Sequence, residues 1–276
     1  VGYQSGYDLT SGTRNTFVGY QSGYEATTDT SNTAIGFRAL KSSKTSNNNV
    51  AIGDSALEGN VDGDANVAIG YLAMRVFEPA NGATYNVAVG HNAGLAMTTG
   101  VRNTIIGGLS GDAITTGGDN VSLGYNSLTS NTIGNSNVAI GKDAMLTNVA
   151  ADRNVAIGLG ALQAMTFSTT ADTYNTAVGY AAGQAVTSGS LNTLIGGQAG
   201  DALTVGNNNT AIGYGCLGNE TKGDRNVAIG VNTLLNQNNT SSVDSYNVAV
   251  GYAAGQAMTT GTLNTLVGGA AGDALT

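Results

Sequence analysis

A spacing of 17 residues runs through this 276-residue chain and constrains its fold more than any other feature. The motif Asn-[Val/Thr]-x-[Val/Ile/Leu]-Gly recurs along the whole sequence, and its last residue is here called the marker glycine. The 16 marker glycines are Gly2, Gly19, Gly36, Gly53, Gly70, Gly90, Gly107, Gly124, Gly141, Gly158, Gly179, Gly196, Gly213, Gly230, Gly251 and Gly268. Twelve of their 15 spacings are 17 residues, and the other three are 20, 21 and 21. A fixed period of this length indicates a solenoid in which each repeat forms one layer.

The residues before each marker glycine have the character of a short β-strand. Val or Thr stands three before it and Val, Ile or Leu one before it, and branched side chains at alternate positions favour a strand. The sequence therefore predicts an all-β fold, a parallel β-solenoid of about 16 coils with a 17-residue period. We expect one repeat domain over residues 1–276. The chain starts without Met and both ends lie inside a repeat, so we expect a fragment of a longer protein.

An asparagine stands four residues before every marker glycine except the first. Identical amides stacked in successive layers can form a hydrogen-bonded ladder. The predicted structural ladder consists of Asn15, Asn32, Asn49, Asn66, Asn86, Asn103, Asn120, Asn137, Asn154, Asn175, Asn192, Asn209, Asn226, Asn247 and Asn264.

The middle residue of each strand is also apolar, with Ser122 as the one departure, and lies on the opposite face from its two neighbours. We place the Val/Thr and Val/Ile/Leu positions in the coil interior, which leaves the middle residue outside. A strand that is apolar on both faces is usually buried on both, so a parallel second copy with the same layer spacing is the expected partner. Exposed Ala at little cost is the alternative. The predicted subunit interface is Ala34, Ala51, Ala68, Ala88, Ile105, Ala139, Ala156, Leu194 and Leu266.

The three long spacings carry extra residues, which are predicted to form loops on one side of the solenoid. Loops on a rigid scaffold commonly carry recognition, so these are candidate receptor contacts. The candidate loop residues are Phe77, Glu78, Asn81, Phe167, Asp172, Asn238 and Asp244.

Composition argues against several classes of function. With ten Lys+Arg, 18 Asp+Glu and a net charge of −8, the chain lacks the basic surface of a nucleic-acid or anionic-lipid binder. No apolar run approaches the ~18 residues of a membrane span.

The few reactive side chains fall in repeat positions, so we expect no catalysis. His91 replaces an aromatic residue and Cys216 replaces Ala or Ser. We expect no cofactor, with weak Ca²⁺ binding at turn carboxylates such as Asp62, Asp119 and Asp224 as the alternative. The hexapeptide "IGYLAM" fits an acyltransferase helix, but such a hexad would recur three times per coil rather than once. The Tyr residues that follow marker glycines predict a stacked ladder, with a carbohydrate platform as the alternative.

The motif N-[VT]-A-[IV]-G-x-x-[AS] resembles the head repeats of trimeric autotransporter adhesins, and "NTFVGYQSGY" with "NTAIGFRAL" is similar to phage tail-fibre repeats. The resemblance covers essentially the whole chain. It implies a left-handed β-roll, a parallel homotrimer, attachment to a cell-surface receptor or glycan, and an extracellular place on a virion tail fibre or bacterial surface. The alternative is a monomeric surface-binding solenoid, such as a glycan- or ice-binding protein, with a flat exposed face carrying a regular polar column.

Overall fold

The computed structural model describes residues 1–79 and 82–275, and the described residues contain strands and turns but no helix. The chain divides into two compact units, Val1–Ser136 and Asn137–Thr276. The repeat continues on both sides of this boundary.

Seven three-residue strands form a parallel sheet in the first unit, and a pair of two-residue strands lies beside it. The strands are β1 Thr16–Val18, β2 Thr33–Ile35, β3 Val50–Ile52, β4 Gly63–Asp64, β5 Val67–Ile69, β6 Gly82–Ala83, β7 Val87–Val89, β8 Thr104–Ile106 and β9 Val121–Leu123. The three-residue strands pair in sequence order, and β4 pairs with β6.

Eight three-residue strands form the parallel sheet of the second unit, with two short pairs beside it. The strands are β10 Val138–Ile140, β11 Ala151–Asp152, β12 Val155–Ile157, β13 Ala171–Asp172, β14 Thr176–Val178, β15 Thr193–Ile195, β16 Thr210–Ile212, β17 Gly223–Asp224, β18 Val227–Ile229, β19 Val243–Asp244, β20 Val248–Val250 and β21 Thr265–Val267. β11 pairs with β13 and β17 with β19.

Equivalent residues of successive repeats pair directly, as Ala51 does with Ala68. The turns are bonded between layers as well, because the amide of Leu57 donates to the Ala73 carbonyl at 3.0 Å and that of Gly59 to the Arg75 carbonyl at 2.9 Å. Each repeat is therefore one layer that is hydrogen-bonded to the next along strand and turn. The predicted all-β parallel solenoid with a 17-residue period is confirmed.

Sharp corners allow each 17-residue repeat to complete one coil and start the next layer beside its own first residue. Over residues 48–57, three residues have φ values in the left-handed region, namely Asn48 with 58°, Ser55 with 54° and Leu57 with 54°. Gly53 has a φ of 136°, and a Cβ added there would lie 2.4 Å from the carbonyl oxygen of Gly70 in the next layer. The marker position is glycine because a side chain fits neither this backbone conformation nor this close contact.

The interior is lined by a fixed set of positions, and the strand contributes only its Asn and its middle residue. In one layer the buried residues are Asn49, Ala51, Ser55, Ala56, Leu57, Asn60 and Gly63. The flanking Val50 and Ile52 point outward and are partly exposed. Our assignment of the two strand faces was therefore wrong, since the small residue lies inside and the branched ones outside. A 17-residue coil is narrow, and in half of the layers the Leu or Met four residues after the marker glycine already fills much of its interior.

Large middle residues are accommodated by glycines on the facing wall. Leu194 replaces the usual Ala and is fully buried. A Cβ at Gly183 would lie 2.6 Å from its Cδ1 atom, and a Cβ at Gly200 would lie 2.9 Å from its Cδ2 atom. Phe17, Ile105 and Leu266 are likewise followed six residues later by a glycine. The interior volume of a layer is therefore shared between these two positions.

Candidate functional site

The outward strand face is defined here as the side chains three and one before each marker glycine. The members closest to solvent include Val18, Ile35, Ile106, Leu123, Ile195 and Ile229, with exposed fractions of 36% to 44%. Parallel pairing places these side chains in two straight columns within each unit. The column one before the marker glycine is apolar throughout, and the column three before it consists of Val and Thr. An exposed apolar column of this kind commonly marks an interaction site in soluble proteins.

The residues predicted to form the subunit interface lie elsewhere. Ala34, Ala51, Ala68, Ala88, Ile105, Ala139, Ala156, Leu194 and Leu266 all belong to the middle position of a strand. The first eight are fully buried within their own chain, and Leu266 is half-buried in the last layer. The eight buried residues cannot contact a partner directly, so the predicted interface set is wrong.

Aromatic residues border the outward strand face at the residue after nine of the 16 marker glycines. Tyr3, Tyr20 and Phe37 stack with centroid distances of 5.4 and 5.3 Å, and His91 stacks on Tyr71 at 5.2 Å. A stacked ladder describes these five residues better than a platform for sugar rings does. The other tyrosines of this position stack on no ring among the described residues and are 52% to 66% exposed; they are Tyr125, Tyr180, Tyr214 and Tyr252.

The asparagines predicted to form a ladder are linked from layer to layer within each unit. The Oδ1 atom of Asn32 accepts from the Asn49 amide at 2.8 Å, and its Nδ2 atom donates to the Ser46 carbonyl at 2.8 Å. In the second unit, Gln237 lies between Asn226 and Asn247 and bonds to both side chains at 3.3 Å. The Asn side chains therefore tie the strand of one layer to the turn of the next.

A threonine column on the opposite turn stands outside the predicted site residues. The hydroxyl of Thr98 donates to the Thr115 carbonyl at 3.1 Å, and that of Thr187 to the Thr204 carbonyl at 3.1 Å. The recurrence of Thr eight residues after most marker glycines is the sequence signal that reveals it. These hydroxyls bond the layers together, which makes the column structural.

The candidate receptor residues of the first long spacing differ in accessibility. Phe77 is fully buried, so it packs inside rather than facing a receptor. Glu78 is exposed and lines a surface cleft. Asn81 lies outside the described residues.

In the second unit the two long spacings occupy the same segment of the coil. Asp172 and Asp244 form ion pairs with Arg153 and Arg225, and each arginine lies over a tyrosine ring one layer on. Phe167 is partly buried, and Asn238 is exposed and accepts a hydrogen bond from Thr221 at 3.0 Å. The aspartates therefore close the loops onto the layer beneath them.

Two buried carboxylates lie inside the coils. Glu220 accepts hydrogen bonds from the amides of Gly223 and Asn239 at 2.7 and 3.1 Å, and so anchors a loop. Asp29 contacts Ser43 through Oδ2, while its Oδ1 atom is buried with no hydrogen-bond partner. Desolvation raises the pKa of Asp29 to about 6.

The remaining reactive groups are engaged in the repeat. Burial raises the pKa of the Cys216 thiol to about 12, which removes the thiolate that a nucleophile requires. Of the carboxylates considered for Ca²⁺, Asp119 pairs with Arg102 at 2.5 Å, and Asp62 and Asp224 accept hydrogen bonds from the layer before. Within residues 1–79 and 82–275, no group of three or more His, Cys, Asp or Glu side chains is placed to hold a metal ion.

A search for helices long and apolar enough to cross a membrane finds none in the part of the chain that the structure describes. Comparisons with known proteins give no family for this chain: no protein-family model, no curated protein and no solved structure matches it.

Proposed function

We propose that this chain is a structural segment of an extracellular attachment fibre, on a virion tail or a bacterial surface, and that it assembles as a parallel homotrimer. The observation that carries the proposal is the outward strand face. One apolar column and one column of Val and Thr run through each unit, bordered in several layers by tyrosines. An apolar centre with aromatic residues is the usual composition of a protein interface.

A second copy of this chain is the partner that fits this face. Its layers repeat at the same strand spacing of ~4.8 Å, so parallel copies match layer for layer. Rotational symmetry closes such an assembly without further growth sideways. The number three, the left-handed coil and the attachment role rest on the resemblance to adhesin heads and tail fibres.

The proposed role involves no catalysis. Cys216 and the carboxylates at the turns take part in contacts within the repeat, and His91 belongs to the aromatic ladder. The extended regular surfaces suit a scaffold, with adhesion residing in the loops or at surface clefts.

Cysteine cross-linking tests the parallel arrangement. In a Cys216→Ser background, Ile69→Cys places one thiol on the outward strand face and Ala68→Cys places one inside the coil. Parallel copies in register bring identical residues together, so the first variant should form a disulfide-linked dimer on mild oxidation and the second should not. Cross-linking of Ile69→Cys at only the level of Ala68→Cys would contradict the proposal.

A monomeric ice-binding protein is the second candidate, favoured by one observation. Thr176, Thr193 and Thr210 lie in consecutive layers of the outward strand face, as a regular polar column requires. This candidate predicts a monomer that depresses the freezing point of a solution below the melting point, and the fibre segment predicts neither property.

A further inference from the structure

A surface cleft in the first unit stands apart from the outward strand face. Its volume is about 370 Å³, at the lower end of the range for small-molecule sites. The lining residues are Ser42, Glu58, Gly59, Arg75, Val76 and Glu78. Three successive layers contribute the first five, and Glu78 lies where the first long spacing begins.

The cleft contains a notch because Gly59 has no side chain. Ser42 and Val76 occupy the equivalent position in the layers on either side, six residues after the marker glycine. A Cβ at Gly59 would lie 2.9 Å from the carbonyl oxygen of Arg75, so the backbones pack closely at this point. The recess therefore has a floor of main chain between two side-chain walls.

Two arginines and two glutamates lie at or beside the notch. Glu58 is only 15% exposed and lies between two cations, with its Oε2 atom 3.2 Å from Arg75 Nε and its Oε1 atom 3.7 Å from Arg38 Nη1. The Arg75 side chain is 53% exposed, which leaves its guanidinium accessible. Glu78 is exposed and has no ion-pair partner among the described residues. The cleft thus presents a guanidinium donor, a carboxylate acceptor and the Ser42 hydroxyl around one recess.

We propose that this cleft binds a neutral saccharide of one or two rings, as a receptor subsite of the proposed attachment fibre, on which the inference rests. Neighbouring hydroxyls of a sugar both donate and accept hydrogen bonds, which suits a carboxylate beside a guanidinium. The methyl groups of Val76, which is 45% exposed, can pack on the apolar face of the ring. An acidic sugar fits less well, because the Arg75 guanidinium is already paired with Glu58 and the added carboxylate would meet the unpaired Glu78.

Calorimetry on the full chain tests the site, with the methyl glycosides of glucose, galactose, mannose and N-acetylglucosamine as probes and N-acetylneuraminic acid as the acidic comparison. We expect saturable binding of at least one neutral glycoside, with weaker binding of the acidic sugar. Glu78→Gln and Ser42→Ala should each weaken this binding about tenfold or less, as loss of one hydrogen bond does. Glu25→Gln, at a partly exposed turn outside the cleft, is the matched control and should leave binding unchanged.

The inference is overturned if no neutral glycoside binds, if both cleft variants bind like the unmodified chain, or if the acidic sugar binds most tightly. Sedimentation of the same samples separates this result from the proposed fibre. A trimer without sugar binding refutes the subsite alone, whereas a monomer that binds a neutral glycoside through Glu78 supports the subsite and refutes the fibre assembly.

Discussion

Leu194 and Gly200 should be energetically coupled, because the side chain of one occupies the space of the other. Leu194 is fully buried, and a Cβ at Gly200 would approach its Cδ2 atom to 2.9 Å. Leu194→Ala should cost about 2–5 kcal/mol through the cavity it leaves. Gly200→Leu should cost about 1–3 kcal/mol or more through overpacking. In the double variant the new leucine enters the vacated space, as Leu217 does beside Ala211, so the two costs should partly cancel.

We expect a coupling energy of at least about 1.5 kcal/mol in favour of the double variant, within the range seen for residues in contact. Urea unfolding followed by circular dichroism measures it, at one protein concentration because association shifts apparent stability. The control cycle combines Gly200→Leu with Ile195→Ala, whose side chain points outward. If the unfolding free energies lost by Leu194→Ala and Gly200→Leu add to within about 0.5 kcal/mol in the double variant, the middle strand residue does not face the interior.

Three further predictions follow from burial, charge and backbone conformation. Ile157→Asp should dissociate the assembly while the circular dichroism spectrum persists. Ala156→Asp should instead unfold the chain, because it buries a charge. Sedimentation and circular dichroism spectra distinguish the two outcomes. Asp29 has a folded-state pKa raised above its unfolded value, so ionising it destabilises the folded chain. This destabilisation is absent below about pH 4 and complete above about pH 6. In urea titrations, Asp29→Asn should remove a loss of unfolding free energy on the order of 2 kcal/mol across that window. Leu191 is 52% exposed with a φ of 60°, so Leu191→Gly should raise the free energy of unfolding by about 0.5–1 kcal/mol in the same assay.

The period, strands and parallel layers could be predicted from the sequence because each leaves a positional signal. A 17-residue spacing that recurs across the chain permits one layer per repeat, and β-branched residues at alternate positions predict a strand. The Asn column could be predicted for the same reason, since a polar residue fixed at one position of every layer requires a bonding role.

The inward face of the strand could not be assigned by size alone. Branched residues are usually buried, and this expectation placed Val67 and Ile69 inside. In so narrow a coil the interior beside the strand admits only Ala68, because Met74 fills the facing wall. The informative signal was the exchange of volume between the middle strand residue and the position six later, seen at Ile105 with Gly111. The surface cleft could not be predicted, since it depends on side chains from three layers meeting around Gly59.

The mass of the unmodified protein in solution tests the central claim, that the outward strand face is buried between parallel copies. Sedimentation equilibrium over a range of concentrations should give three times the 27.5 kDa mass of the chain. Ile157→Asp should lower that mass toward one chain. A stable 27.5 kDa monomer, with Ile35 and Ile195 still open to solvent, would contradict the account.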